Sequence, residues 1–251
     1  VTDASRMPDR ARLGAVADLD ELCAFIGDCR RCRLAETRTT LVFGVGDPGA
    51  DLLFIGEAPG KNEDLKGEPF VGAAGRLLDE LLGSIGLHRS EVYIANVLKC
   101  RPPGNRDPQA DEIETCTPFL AEQVRLIDPL VIATLGNFAT RYVLGTDAGI
   151  TRLRGRLFEV DGRRVVPIYH PAAALYSPDK RGVLFDDFRR LATVMQWARE
   201  GRPVSPTARI AAGHEDWLEV LVDPLGDAEK PAPAPREDPG EDPSTDQQTL
   251  F

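Results

Sequence analysis

No stretch of this 251-residue sequence approaches the roughly 20 consecutive apolar residues that a membrane-spanning helix needs. The first residues, with Asp3, Arg6 and Asp9 among them, carry no signal-peptide pattern. A soluble, cytoplasmic, monomeric protein without a membrane partner is the expectation. Histidine is scarce, with His88, His170 and His214 the only three, so any imidazole chemistry has few carriers. A surplus of basic residues is lacking as well: the net charge is −10, which ordinarily argues against a nucleic-acid partner. That deficit is uneven. Residues 202–251 hold 11 acids against 4 bases, a net −7, which leaves only −3 to residues 1–201. A local basic loop in the folded part can therefore still grip phosphates. No internal repeat is present.

What is there begins with strong periodicity. Leu19, Leu22, Cys23 and Ile26 recur at helical spacing and predict a first helix over about 15–28. Cys23 lies on that stripe and reads as a small buried hydrophobe. Buried strands are predicted at 51–56, 92–97 and 130–135, helices with apolar faces at Leu77–Ile85, Gln109–Arg125, Asn137–Leu144 and Arg181–Arg199, and an Asp161-Gly162 turn joins two further strands. Strands alternating with helices imply an α/β fold, a mostly parallel central sheet with helices on both faces in an α/β/α sandwich. Three regions follow: a flexible N-terminus (1–14), one catalytic-sized domain (15–201), and an acidic, Pro-rich tail (202–251) that reads as largely disordered because 226–246 has no large apolar side chain.

The chemistry-bearing residues sit between those elements. Pro102, Pro103 and Gly104 break helix and sheet alike, so Cys100 and the cations around it belong to a loop. Cys29 and Cys32 form a C-x2-C pair, and Cys100 and Cys116 follow far downstream with fifteen residues between them. Zinc, redox and iron–sulfur sites all use such a pair. The wide second spacing suits a 4Fe-4S cluster, with zinc as the contender.

Four segments, Gly56-Glu57-Ala58-Pro59-Gly60, Gly67-Glu68-Pro69-Phe70-Val71-Gly72, Asn96 through Arg106, and His170-Pro171-Ala172-Ala173-Ala174-Leu175, together with the four cysteines, resemble in order and spacing the motif set of family-four uracil-DNA glycosylases, the iron–sulfur branch of that superfamily. The resemblance covers about residues 29–198. It implies an enzyme that flips deoxyuridine out of DNA and hydrolyses its glycosidic bond to initiate base-excision repair. It also implies that Cys29, Cys32, Cys100 and Cys116 ligate a 4Fe-4S cluster.

On the same basis His170 donates a hydrogen bond to uracil O2 as negative charge builds on the departing base, Phe70 stacks on the base, and Asn96 reads O4 and N3 with an amide that offers donor and acceptor together. Gly56, Ala58 and Gly60 line the base site. Glu57 is placed to bond water or uracil, while Ala58 stands where better-known uracil glycosylases carry an Asp. Gly60 replaces a Tyr that in those enzymes blocks the thymine methyl, so thymine exclusion must come from elsewhere or be weaker.

Lys99, Arg101, Asn105 and Arg106 are the expected DNA contacts, with Leu175 the wedge into the vacated stack. Tyr176 stands where the family often has Arg, and Lys180 and Arg181 are the candidates to replace it. A related branch traps DNA through a His in a loop after the Asn motif; with no His between His88 and His170, this chain is expected to turn over. No Lys in the pocket motifs offers a Schiff-base nucleophile, so a monofunctional enzyme is expected. The alternative is a non-catalytic iron–sulfur module that reads uracil in DNA. Finally, Gln247, Leu250 and Phe251 match the short bacterial sliding-clamp motif, two apolar anchors on a tether.

Overall fold

The computed structural model describes residues 7–202. Residues 1–6 and most of the acidic tail, including the clamp-like Gln247, Leu250 and Phe251, lie outside the described residues. Among the described residues no helix is long and apolar enough to cross a membrane.

Six strands form one mixed sheet: β1 (Val45–Gly46), β2 (Leu52–Gly56), β3 (Tyr93–Asn96), β4 (Val131–Leu135), β5 (Phe158–Val160) and β6 (Arg163–Ile168), in the order β1-β3-β2-β4-β6-β5. The central ladders β3-β2, β2-β4 and β4-β6 are parallel, as the strand-helix alternation predicts, while β1 and β5 pair antiparallel at the two margins. The β5-β6 hairpin turns at Asp161 and Gly162, both at positive φ.

The central strands are buried on both faces, and successive side chains alternate between them. Leu52 and Phe54 of β2 point to one face, where they join α4 (Ala73–Ser84) and α9 (Asp179–Arg199) through Leu77, Leu78, Leu81, Leu184, Phe188 and Leu191. The Phe54 and Phe188 rings stack there with centroids 5.8 Å apart. Leu53 and Ile55 point to the other face, against α2 (Leu19–Ile26), α5 (Ala110–Ile127) and α6 (Asn137–Leu144). Each fully buried Leu or Phe contributes roughly 1.5–3 kcal/mol, so both faces hold strongly.

Two expectations change. The segment before residue 15, expected as a flexible N-terminus, contains α1 (Arg10–Gly14), capped by Asp9, whose Oδ1 accepts from Ala11 N at 3.0 Å and Arg12 N at 3.2 Å. Its anchor is the buried Leu13. Cys23 is exposed, not buried. The buried stripe of α2 is Leu19, Leu22 and Ile26, and Cys23 lies just beside it. Short helices α3 (Lys61–Lys66), α7 (Ile150–Leu153) and α8 (Ala173–Tyr176) fill connections that sequence periodicity leaves open.

Because the central strands run parallel, β2, β3, β4 and β6 all end on one side of the sheet. Their loops gather there, where open α/β sheets bind ligands.

Candidate active site

A cavity of about 340 Å³ opens at those strand ends, within the size range of ligand sites. Glu57, Ala58 and Gly60 after β2, Asn96 at the end of β3, Phe70, His170 and Arg106 all line it, joined by Glu63 of α3. The four sequence motifs, the first and last more than a hundred residues apart, therefore converge on one space.

Close approach explains the glycine that begins the site. Gly56 pairs in register with Asn96 across the β2-β3 ladder. A Cβ on Gly56 would lie 2.3 Å from Asn96 Oδ1 and 2.9 Å from Phe70 Cε2. Hydrogen leaves room for the amide and the ring to share the cavity floor. Asn96 itself is 2% exposed.

Phe70 adopts φ +54°, a conformation costing a bulky residue about 1–3 kcal/mol. Its ring stacks on the His170 imidazole, centroids 5.4 Å apart and 26° between planes. Beyond it, Glu63 Oε1 accepts from Val71 N at 2.9 Å and Gly72 N at 3.0 Å, closing the loop onto α3. Glu63 Oε2 lies 2.7 Å from where a Gly60 Cβ would stand, so this carboxylate occupies space beside the glycine that lacks a blocking side chain. Sequence reasoning passed over Glu63; its signal was position, in the first turn of the helix that Gly60 caps.

His170 leaves β6 directly into a turn in which Ala173 N donates to its carbonyl at 2.8 Å. Its Nδ1 accepts from Ala172 N at 3.1 Å. A neutral imidazole that accepts at Nδ1 carries its proton at Nε2. Burial holds the His170 pKa down to about 4, against the opposing pull of the Glu63 carboxylate, so the ring is neutral at physiological pH with a donor at Nε2. Glu57, half-buried, moves the other way: burial, then Asp107, raises its pKa.

The basic loop divides in a way its composition does not show. Lys99, expected to grip phosphate, is 1% exposed. Its ammonium donates to Asn96 O at 2.7 Å and Gln123 Oε1 at 2.5 Å. It is therefore an internal strut and not a DNA contact. Gln123, 24 residues on in α5, supplies the acceptor that turns it inward. Arg106 forks onto Glu112, a fully buried carboxylate, and reaches Asp107 O at 2.9 Å; its charge is largely matched within the protein. Arg101 stays half-exposed, donating to Asn105 Oδ1 at 2.7 Å. Leu175 and Tyr176 of α8 stand out from the surface at 48% and 87% exposure. Arg181 is occupied by Glu80, and Lys180 sits over the Tyr169 ring.

Behind the basic loop, Cys29, Cys32, Cys100 and Cys116 line a second, small chamber with Lys99, Arg38 and Thr115. Burial raises the thiol pKa of Cys100 to about 12 and of Cys116 to about 11, and raises that of Cys32. Cys32, Cys100 and Cys116, raised by burial, ionise more readily when cationic charge shares the chamber, which is the chemistry of a metal-thiolate donor set. N–H donors already face three sulfurs: Arg31 Nη1 to Cys29 and Arg38 Nη1 to Cys100, both at 3.5 Å, and Lys99 N to Cys116 at 3.3 Å. Among the described residues, no three His, Cys, Asp or Glu side chains converge as a single-ion site.

A family model for the uracil DNA glycosylase superfamily matches residues 43–193. The chain belongs to the uracil DNA glycosylase superfamily. The matched span holds the cavity, Phe70, Asn96 and His170, and stops short of Cys29 and Cys32. The chain is 49% identical over 181 residues to the type-4 uracil-DNA glycosylase of Archaeoglobus fulgidus, covering 69% of this chain and 91% of that protein. It is 45% identical over 182 residues to that of Sulfurisphaera tokodaii, covering 69% and 83%, and 41% identical over 166 residues to that of Thermotoga maritima, covering 64% and 86%. Relatives of that name place this superfamily member in the type-4 branch.

Proposed function

We propose that this chain is a monofunctional uracil-DNA glycosylase of the type-4 kind, hydrolysing the bond between uracil and deoxyribose in DNA. The observation that carries the reading is the neutral His170, its proton on Nε2, stacked against Phe70 on a cavity that also holds the Asn96 amide. Uracil slides between these groups with its face on Phe70 and its O4 and N3 edge on Asn96. As the glycosidic bond lengthens, negative charge collects on the base. A neutral donor already in place stabilises that charge without reorganising. Glu57, with its proton affinity raised, orients water on the sugar side. Glu63 beside Gly60 supplies the bulk against a thymine methyl that Gly60 does not.

DNA is held by Arg101, with Asn105 bonded to it, and Leu175 with Tyr176 enters the stack where the base has left. Lys99 takes no part in holding phosphate. The cysteine chamber suits a 4Fe-4S cluster held by Cys29, Cys32, Cys100 and Cys116. A cluster here supplies cross-linking of the 29–32 segment, the Cys100 loop and α5. The chain's own residues carry the bond cleavage. The C-terminal Gln247, Leu250 and Phe251 dock a sliding clamp, which loss of clamp capture on deleting Leu250 and Phe251 would test.

Release of free uracil from a uracil-containing oligonucleotide by iron-loaded protein tests the activity, and release unchanged in His170→Ala would overturn the role given to the imidazole.

A further inference from the structure

Phe70 holds a backbone conformation that its own side chain disfavours, and something must keep it there. Arg89, from the tight turn that precedes β3, reaches across to do so. Its Nη1 donates to Phe70 O at 3.1 Å and its Nη2 to Pro69 O. On the far side of the same loop, Glu63 takes the Val71 and Gly72 amides. Four successive residues thus have two carbonyls held by a cation and two N–H groups held by an anion. Gly75 of α4 packs so tightly below that a Cβ there would lie 1.7 Å from Phe70 O, so the carbonyl sits in space that only a glycine leaves open. Arg89 also pairs with Asp79 of α4 at 3.2 Å, the two side chains 25% and 49% exposed. So exposed a pair adds little by itself; the arginine's charge-assisted bonds to the two carbonyls are the stronger contacts.

We infer that Arg89 is a positioning residue for the uracil site: by clamping the Pro69 and Phe70 carbonyls it fixes the Phe70 ring as a preformed stacking platform opposite His170. The inference rests on the function proposed above and deepens it. Without the clamp, φ at Phe70 relaxes toward ordinary values, the ring leaves the imidazole, and each uracil must reorder the loop on entry. That cost falls on binding, so KM and the inhibition constant for free uracil rise while kcat changes less.

The test is a double-mutant cycle on the iron-loaded, full-length chain, combining Arg89→Met with Phe70→Ala. Arg89→Met alone is expected to raise the uracil inhibition constant by about tenfold, two charge-assisted hydrogen bonds being lost. In the Phe70→Ala background the same change is expected to add almost nothing, because the ring it positions is gone. Arg89→Lys, which retains a cation able to reach one carbonyl, should recover part of the affinity, and Asp79→Asn should leave it within about twofold. Should the Met variant not fold, Arg89→Gln takes its place in the cycle. Full additivity of the two substitutions, or an unchanged inhibition constant in the single variant, would overturn the inference while leaving the enzyme's activity intact. Absence of uracil release from the unaltered protein would instead overturn the proposed function.

Discussion

Gly56→Ala separates the site from the fold. Gly56 is the last residue of β2; its carbonyl accepts from Val97 N at 2.9 Å, so the backbone is fixed by the ladder and cannot back away. The added methyl would begin 2.3 Å from Asn96 Oδ1 and 2.9 Å from Phe70 Cε2. The amide must retreat by roughly 1 Å to reach an ordinary contact near 3.5 Å. A displacement of that size in a substrate-positioning group costs on the order of 100-fold in rate. The fold loses less, because what yields is the far end of two side chains. Overpacking of this sort costs about 1–3 kcal/mol, a fall of roughly 2–12 °C in Tm for a domain of this size. Steady-state uracil release gives kcat/KM, and thermal unfolding of the same sample gives Tm. A variant that keeps kcat/KM within about threefold of the parent would refute the placement of Asn96 and Phe70 around Gly56.

Other perturbations probe the remaining groups. With the His170 pKa held near 4, the imidazole is neutral across the physiological range, so the limb of the kcat/KM profile due to it should stay flat down to about pH 5 and fall as pH approaches 4; a midpoint near 6.5 would contradict the buried, Nδ1-accepting ring. The linked stability has the same sense. Between pH 6.5 and 4 the unfolded chain binds a proton at His170 that the folded chain does not, so stability is complete above about 6.5 and declines as pH falls toward 4, which denaturant midpoints across that window measure. Arg101→Ala should lower the slope of log affinity against log salt by about 1, whereas Lys99→Met should lower Tm and leave that slope unchanged; a reduced slope for Lys99→Met would restore it as a phosphate contact. Cys100→Ala should lower iron content and thermal stability, with DNA affinity failing before the chemical step, and a well-folded variant of normal affinity would show that the chamber is not a fastener.

The strands and long helices were legible because their apolar periods are unbroken, and the cavity was legible because its motifs fall where strands end. What the sequence concealed was direction. Lys99 stands among cations in a proline-rich loop and looks like its neighbours; only the Gln123 acceptor and the Asn96 carbonyl, brought together by packing of α5 on the sheet, turn it inward. Cys23 has helical spacing with its apolar neighbours, yet α2 is eight residues long and its stripe is filled by Leu19, Leu22 and Ile26. Arg106 reads as a DNA cation until Glu112, six residues on, is seen to be buried against it. Glu63 and Arg89 escape sequence reasoning for the opposite reason: ordinary charged residues, they acquire meaning only from the backbone groups of a loop they do not belong to.

The sheet's two margins bear on how the chain behaves in company. β1 is two residues long and β5 three, and both run against the grain of the four strands between them. An unpaired edge recruits other chains in proportion to the length of regular backbone it offers, and margins this brief give an incoming strand almost no ladder to extend. The long, Val-, Ile- and Leu-bearing strands that could nucleate a fibril are sealed in the middle. Among the described residues the rim therefore offers an incoming strand little template, and Glu159 on β5 adds a charge there.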